Sequence, residues 1–150
     1  MQRREAKVIA IVESAWKLAR KHGIAGVSLH ALAREVGMRQ PSLYAYFDSK
    51  LALYDSMFAD GNGQLLQRLD LVKLPRHPRA ALKKFLAEFV AFALEDPVRC
   101  ELLFQRHLPG FTPSAESYTL AKQVLDYLNK LASETPILKT EDFPDQKRAP

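Results

Sequence analysis

From Arg4 to His22 apolar residues return every three or four positions, so that Val8, Ile11, Val12, Ala15, Leu18 and Ala19 share one side of a helix. Lys17, Arg20, Lys21 and His22 crowd its last turn, where cations suit the negative end of the helix dipole. Gly23 then supplies the left-handed residue that stops it. A short second helix follows, with Ser28 as N-cap and Leu29, Leu32, Ala33 and Val36 as its buried face. Ala31 stands where a full capping box would place an acid, so the cap is a single bond. Gly37 closes this helix and Met38 is an apolar pin in the turn. A third helix begins with Pro41 at its first position, where a missing N–H costs nothing, and Leu43 and Phe47 point inward.

Asp48 or Ser49 caps a fourth helix carrying Leu51, Tyr54, Met57 and Phe58. Gly61-Asn62-Gly63 then leaves two readings open. The chain bends or loops there, or the helix runs on to Leu65, Leu66 and Leu69 at a cost of about 1 kcal/mol per glycine. Further on, Pro78 opens a segment with Leu82, Phe85, Leu86, Phe89 and Ala93. Asp96-Pro97 is a cap and first-turn proline ahead of Leu102, Leu103 and Phe104. Thr112-Pro113 repeats that signature before Leu120, Val124, Leu128 and Leu131. After Ser133 the pattern dissolves around Pro136, Pro144 and Pro150, so roughly the last 15 residues are expected to be irregular. No segment alternates with period two, and the expected fold class is all-α.

Proline and charge divide the chain at similar places. Only Pro41 precedes residue 75, whereas eight prolines lie at 75 or beyond. Residues 1 to 50 hold nine Lys and Arg against four Asp and Glu, whereas residues 51 to 150 hold thirteen of each. The excess of positive charge therefore sits on the amino-terminal third, as expected if that part alone faces a polyanion, although charge alone fits a merely solvated basic surface equally well. The expected division is a head over 1–50, with the start of a linking helix to about 60, and a second helical unit over 51–150.

Cys100 is the single cysteine, which excludes an intrachain disulfide and fits a reducing compartment. Glu13 and Lys17 interrupt the first apolar run, and no stretch approaches the roughly 20 apolar residues that span a bilayer. The expectation is a cytoplasmic protein with no membrane partner. His22, His30, His77 and His107 show no metal-ligand spacing. Cys100 and His107, seven apart, would share a helix face, but nothing nearby completes a nucleophile, base and oxyanion arrangement. Neither catalysis nor a metal nor a cofactor is expected.

Function concentrates in Ser28 to Phe47, a capped helix, a glycine turn and a proline-started helix. Such a unit, braced by the first helix, holds a recognition helix rigidly enough to enter a major groove. With Leu43 and Phe47 inward, Gln40, Ser42, Tyr44, Ala45 and part of Tyr46 are left outward or at the flank. These side chains can hydrogen-bond base edges, touch a thymine methyl or reach phosphate. Lys50, in the first turn of the next helix, is placed to favour a phosphate, as is Arg39 just before the recognition helix. Arg3 and Arg4 form a short basic arm.

The stretch Gly23-Ile24-Ala25-Gly26-Val27-Ser28-Leu29-His30-Ala31-Leu32-Ala33, followed by Gly37-Met38-Arg39-Gln40-Pro41-Ser42-Leu43-Tyr44-Ala45-Tyr46-Phe47-Asp48-Ser49-Lys50, resembles the head of TetR-type regulators. Leu-Tyr-x-Tyr-Phe-x-Ser-Lys is its most diagnostic run, and the resemblance is specific over roughly residues 5 to 60. It implies a three-helix head with a helix-turn-helix, joined by a long helix to a helical ligand-binding and dimerisation domain. It also implies a homodimer on a palindromic double-stranded DNA operator, usually a repressor released by a small-molecule effector. By resemblance Leu29, His30, Gln40, Pro41, Ser42, Tyr44, Ala45, Tyr46 and Lys50 occupy positions that meet DNA. Leu29 and His30 depart from the hydroxyl and arginine found there in some members.

Such proteins carry two late helices that form the dimer interface, and this sequence gives out before a matching pair, leaving that domain incomplete at its carboxy-terminal end. Either it is part of a longer chain or it dimerises differently. Phe85, Phe89, Phe92, Phe104, Phe111, Tyr118 and Tyr127 are candidates for an apolar effector pocket, or simply core. No polar constellation marks the effector's class, and its residues stay unassigned. The alternative to a DNA-binding regulator is a helical protein-interaction module with a basic head and no DNA specificity.

Overall fold

The computed structural model describes residues 2–105 and 108–135, and among them it contains seven α-helices, one 3-10 turn and no strand. Helix α1 (Gln2–His22) buries Ile11, Val12, Ala15, Trp16, Leu18 and Ala19, so Trp16 joins the expected stripe while Val8 is only half-buried. Arg3 and Arg4 lie inside this helix, so the basic arm is a helical end rather than an extended strand. Gly23 takes φ 79° and passes the chain into the 3-10 turn Ile24–Gly26. Ser28 caps α2 (Leu29–Glu35) by accepting from Ala31 N at 3.1 Å.

The turn between α2 and the next helix is closed by two backbone bonds. Gly37 N donates to Arg34 O at 3.2 Å and Met38 N to Ala33 O at 2.8 Å. Together with φ 64° at Gly37 this is the Schellman arrangement, which needs a left-handed residue at that point. Helix α3 (Gln40–Tyr44) starts one residue earlier than expected, with Pro41 still in its first turn. Leu43 and Phe47 are buried as predicted.

Helix α4 (Lys50–Leu71) settles the two readings of Gly61-Asn62-Gly63, because it runs straight through them. Ser49, of the two candidate caps, accepts from Ala52 N at 3.1 Å. A side chain at Gly61 would lie 3.0 Å from Leu103 Cδ2, so the glycine lets a neighbouring helix approach closely. Asn62 donates from Nδ2 to Phe58 O at 2.9 Å within the same helix. Burial on several sides offsets the glycine cost.

Helices α5 (Pro78–Glu95), α6 (Pro97–Phe104) and α7 (Ala115–Glu134) pack around α4. The start of α7 corrects one expectation. Its cap is Ser114, which accepts from Ser117 N at 3.1 Å, rather than Thr112. The reason lies on α4, where the Asp55 carboxylate accepts from Ser114 N at 2.7 Å, Ser114 Oγ at 2.8 Å and Ser117 Oγ at 2.7 Å. Residues 136–150, expected to be irregular, and His107, paired above with Cys100, lie outside the described residues. No helix among those described is long and apolar enough to cross a membrane.

Two apolar clusters result. One joins α1, α2, Leu43 and Phe47 to Leu53, Tyr54 and Met57 of α4 and Leu102 of α6. The other holds Leu65 and Leu69 of α4 with Ala81, Phe85 and Phe92 of α5 and Val124 and Leu131 of α7.

Burial pushes the Asp55 carboxyl upward, but the Ser114 amide and the Ser117 and Ser114 hydroxyls outweigh it and hold it below the ordinary carboxylate value. A depressed folded-state value contributes stability above the unfolded pKa and loses it as pH falls through the folded one. Urea unfolding from neutral into the acid range is therefore expected to show a falling midpoint, and Asp55→Asn to flatten part of that fall. An unchanged slope in the variant would contradict the assignment.

Candidate nucleic-acid interface and ligand cavity

Helix α3 is short, packs on α2 and sends Leu43 into the head core, which fixes where its outer surface points. Leu43 and Phe47 sit in the head core at 1% and 3% exposure. Pro41, Ser42, Tyr44 and Ala45 are exposed, Gln40 and Tyr46 half-buried. Gln40 Nε2 donates to Tyr44 Oη at 3.1 Å, and Gln40 Oε1 lies 3.3 Å from His30 Nδ1. With the amide in that orientation Nδ1 of His30 carries the donated proton. A polar string thus runs from the first turn of α2 along the outer face of α3.

Arg39 is exposed at the N-cap of α3. Leu29 is buried in the head core, so its side chain does not join that surface, whereas His30 beside it does. Lys50 is engaged within the head. Its Nζ donates to Ala25 O at 2.7 Å and stands 5.4 Å from the centre of the Tyr54 ring. Tyr54 in turn donates its hydroxyl to Ile24 O at 2.7 Å, so the 3-10 turn before α2 is held twice from α4. At the far end Arg4 donates to Ala45 O at 2.9 Å and lies over the Tyr46 ring. Sequence reading missed this brace, because a terminal arginine carries no local sign of a partner 41 residues away.

A second site lies between α4, α5, α6 and α7, a cavity of about 750 Å³. Phe85, Phe89, Phe104, Phe111 and Tyr118 of the aromatic candidates line it. Phe92 does not, being covered by Arg99, whose guanidinium carbon is 3.6 Å from the ring centre. Tyr127 does not either, and stacks on Phe85 with 5.6 Å between ring centres. Asn62 of α4 does line it, at 2% exposure. Its sign in the sequence was its place on the apolar stripe, four after Phe58 and three before Leu65.

Polar bonds tie the walls of this cavity to the head. Trp16 Nε1 on α1 donates to Asp60 Oδ2 on α4 at 2.8 Å, one residue before the glycine that receives Leu103. Arg20 of α1 pairs with Asp96 at 2.7 Å, while the other Asp96 oxygen caps α6 by accepting from Arg99 N at 3.2 Å. Arg99 reaches Gln64 Oε1 at 2.7 Å and Phe92 O at 2.9 Å. Burial lowers its pKa from the usual arginine value, against the opposing pull of Asp96 and Glu95. Among the described residues no group of three or more His, Cys, Asp or Glu is arranged to hold a metal.

Residues 11–57 match the family of bacterial regulatory proteins described as tetR. The chain is 30% identical over 87 residues to YobS of Bacillus subtilis strain 168, an uncharacterised HTH-type transcriptional regulator, covering 58% of this chain and 46% of YobS. It therefore spans about half the length of the curated relatives it matches. The TetR family transcriptional regulator PfmR from Thermus thermophilus superposes with TM-score 0.67 at 18% identity, over 86% of this chain and 75% of PfmR. A TetR variant from Acinetobacter baumannii AYE in complex with minocycline gives TM-score 0.56 at 18% identity, over 83% of this chain and 72% of that one. The head is thus similar to the tetR family over residues 11–57, and the described chain shares the fold of these solved structures.

Asp96→Ala removes the α6 cap and leaves Arg20 without its carboxylate partner. It is expected to destabilise by roughly 2–4 kcal/mol in urea unfolding. Arg20→Ala costs less, under about 1 kcal/mol, because Arg20 is half-exposed. Equal costs would contradict the double role given to Asp96.

Proposed function

We propose that the protein is a DNA-binding transcriptional regulator that lays the outer face of α3 in a major groove and loosens its hold when a small molecule fills the cavity. The observation that carries this is the exposure of Ser42, Tyr44 and Ala45, with the half-exposed Gln40, on a helix whose opposite side is locked by Leu43 and Phe47. Gln40, Ser42 and Tyr44 offer hydrogen-bonding groups to base edges, and Ala45 and Pro41 offer apolar contact to a thymine methyl. His30, Arg39, Tyr46 and Lys50 flank this face and contribute phosphate contacts, Lys50 by exchanging its bond to Ala25 O for one to the backbone of DNA. The head, about 1–50, carries recognition, and the helices beyond it carry ligand binding and self-association.

Repression as a homodimer on a palindromic operator is the form the TetR-type head supports. Two-fold symmetry then requires recognition helices about 34–36 Å apart. A ligand changes DNA affinity only by binding unequally to two head spacings. The route lies through α6, whose Leu103 lines the cavity and touches Gly61, and whose cap Asp96 holds Arg20 of α1. That a similarly folded Acinetobacter protein forms a complex with minocycline supports a small-molecule ligand for this fold.

Fluorescence anisotropy on operator and random duplexes at two salt concentrations tests the docking. Lys50→Ala is expected to weaken both duplexes by the same factor and lower the salt slope by about 1. Gln40→Ala is expected to shift preference by roughly 1–3 kcal/mol at one base position. Parent-like binding of both duplexes by both variants would contradict the proposed face. Weak, salt-insensitive binding throughout would favour a protein-interaction module.

A further inference from the structure

The cavity has a chemistry of its own, and its strongest feature is a polar atom with no use inside the protein. Asn62 is 2% exposed, in the middle of a 22-residue helix, and lines the cavity wall. Its Nδ2 is spent on Phe58 O, which fixes the amide orientation and leaves Oδ1 as the free group. Among the described residues nothing donates to Oδ1. It is not sealed by protein either, since the one fully enclosed, unpartnered side-chain polar atom described is Arg99 Nε. The oxygen therefore borders the open space of the cavity.

Around it the wall is mainly apolar, with Gln105, Thr112 and Tyr118 as its other polar side chains. Phe85, Phe89, Leu102, Leu103, Val124 and Leu128 are typical, and no Lys, Arg, Asp, Glu or His is among the described lining residues. A charged group entering such a space loses hydration and meets no opposite charge among the described lining residues. A donor on the ligand, by contrast, gains an acceptor that no described residue occupies. Leu86, Phe104, Tyr118 and Leu125, between 42% and 49% exposed, line the cavity where it opens to solvent.

We infer that the cavity takes an uncharged, mainly apolar molecule bearing one N–H or O–H donor, which is accepted by Asn62 Oδ1. This rests on the cavity being the ligand site proposed above, and it adds the ligand's class and the residue that selects it.

Three matched probes and the full chain test it. N-phenyl-1-naphthylamine is uncharged with a single N–H. 8-Anilino-1-naphthalenesulfonate has the same skeleton with a sulfonate beside that N–H, so the charge cannot stay at the mouth while the N–H reaches Asn62. 1-Phenoxynaphthalene replaces the N–H by an ether oxygen, and is followed by competition. The amine is expected to bind with enhanced fluorescence, the sulfonate at least about tenfold more weakly. Asn62→Leu is expected to weaken the amine by roughly three- to tenfold and leave the ether unchanged or tighter. Ala121→Trp, which fills the cavity, is expected to abolish uptake, with circular dichroism and melting confirming that both variants fold.

Equal binding of amine and sulfonate, equal losses of amine and ether in Asn62→Leu, amine binding that survives Ala121→Trp, or no uptake of any probe would each overturn the inference. The titrations contain no DNA. A labelled duplex added afterwards scores the regulator reading separately, so either can fail while the other stands.

Discussion

Helix α4 is buried twice, and the arrangement of everything else follows from that. Its first half contributes Leu53, Tyr54 and Met57 to the core of the head, and its second half contributes Leu65 and Leu69 to the core formed with α5 and α7. Each fully buried side chain of this size contributes about 1.5–3 kcal/mol. Neither end is free to move without disturbing a core. The sequence makes this possible at Gly61, where the missing side chain lets Leu103 of α6 sit against the rod midway between the two clusters. A helix with two glycines and a buried asparagine is weak by propensity alone. It persists because it is surrounded.

This constraint links the two sites. The head presents α3 because α1, α2 and the start of α4 hold it from behind, with Arg4, Lys50 and Tyr54 bonding to backbone carbonyls at its edges. The cavity is walled by the same α4 and by α6, and both are bonded to α1, through Asp60 to Trp16 and through Asp96 to Arg20. A ligand pressing on α6 therefore acts on elements that also orient the head. Packed cores shift between discrete arrangements rather than deform smoothly, which is how a small displacement can be felt at a distance.

Much of this was legible in the residues. Periodicity and punctuation signalled each helix, though not every bound, since the signals at Gly23, Ser28, Gly37, Pro41, Ser49 and Pro78 are local chemistry. The inward positions Leu43 and Phe47 followed from spacing alone, and with them the outward side of α3. What stayed hidden was set by distant partners. The path of the chain at Gly61-Asn62-Gly63 was decided by Leu103. The start of α7 was decided by Asp55 rather than by the Thr112-Pro113 signal. The brace made by Arg4 is likewise a tertiary fact, whereas the burial of Leu29 was already read from the spacing of α2, against the DNA-meeting place that the resemblance gave it. Of the seven aromatic candidates, Phe92 and Tyr127 fell outside the cavity because Arg99 covers one and Phe85 stacks on the other.

The central claim is that one face of a small, rigid helix meets nucleic acid. Amide chemical-shift mapping of the full chain, titrated with a short duplex at low salt, addresses it without knowledge of any operator. The account predicts perturbations concentrated at His30, Arg39 to Tyr46 and Lys50, with α5 and α7 unaffected. Shifts confined to the helices around the cavity, or none across residues 28 to 50, would contradict it.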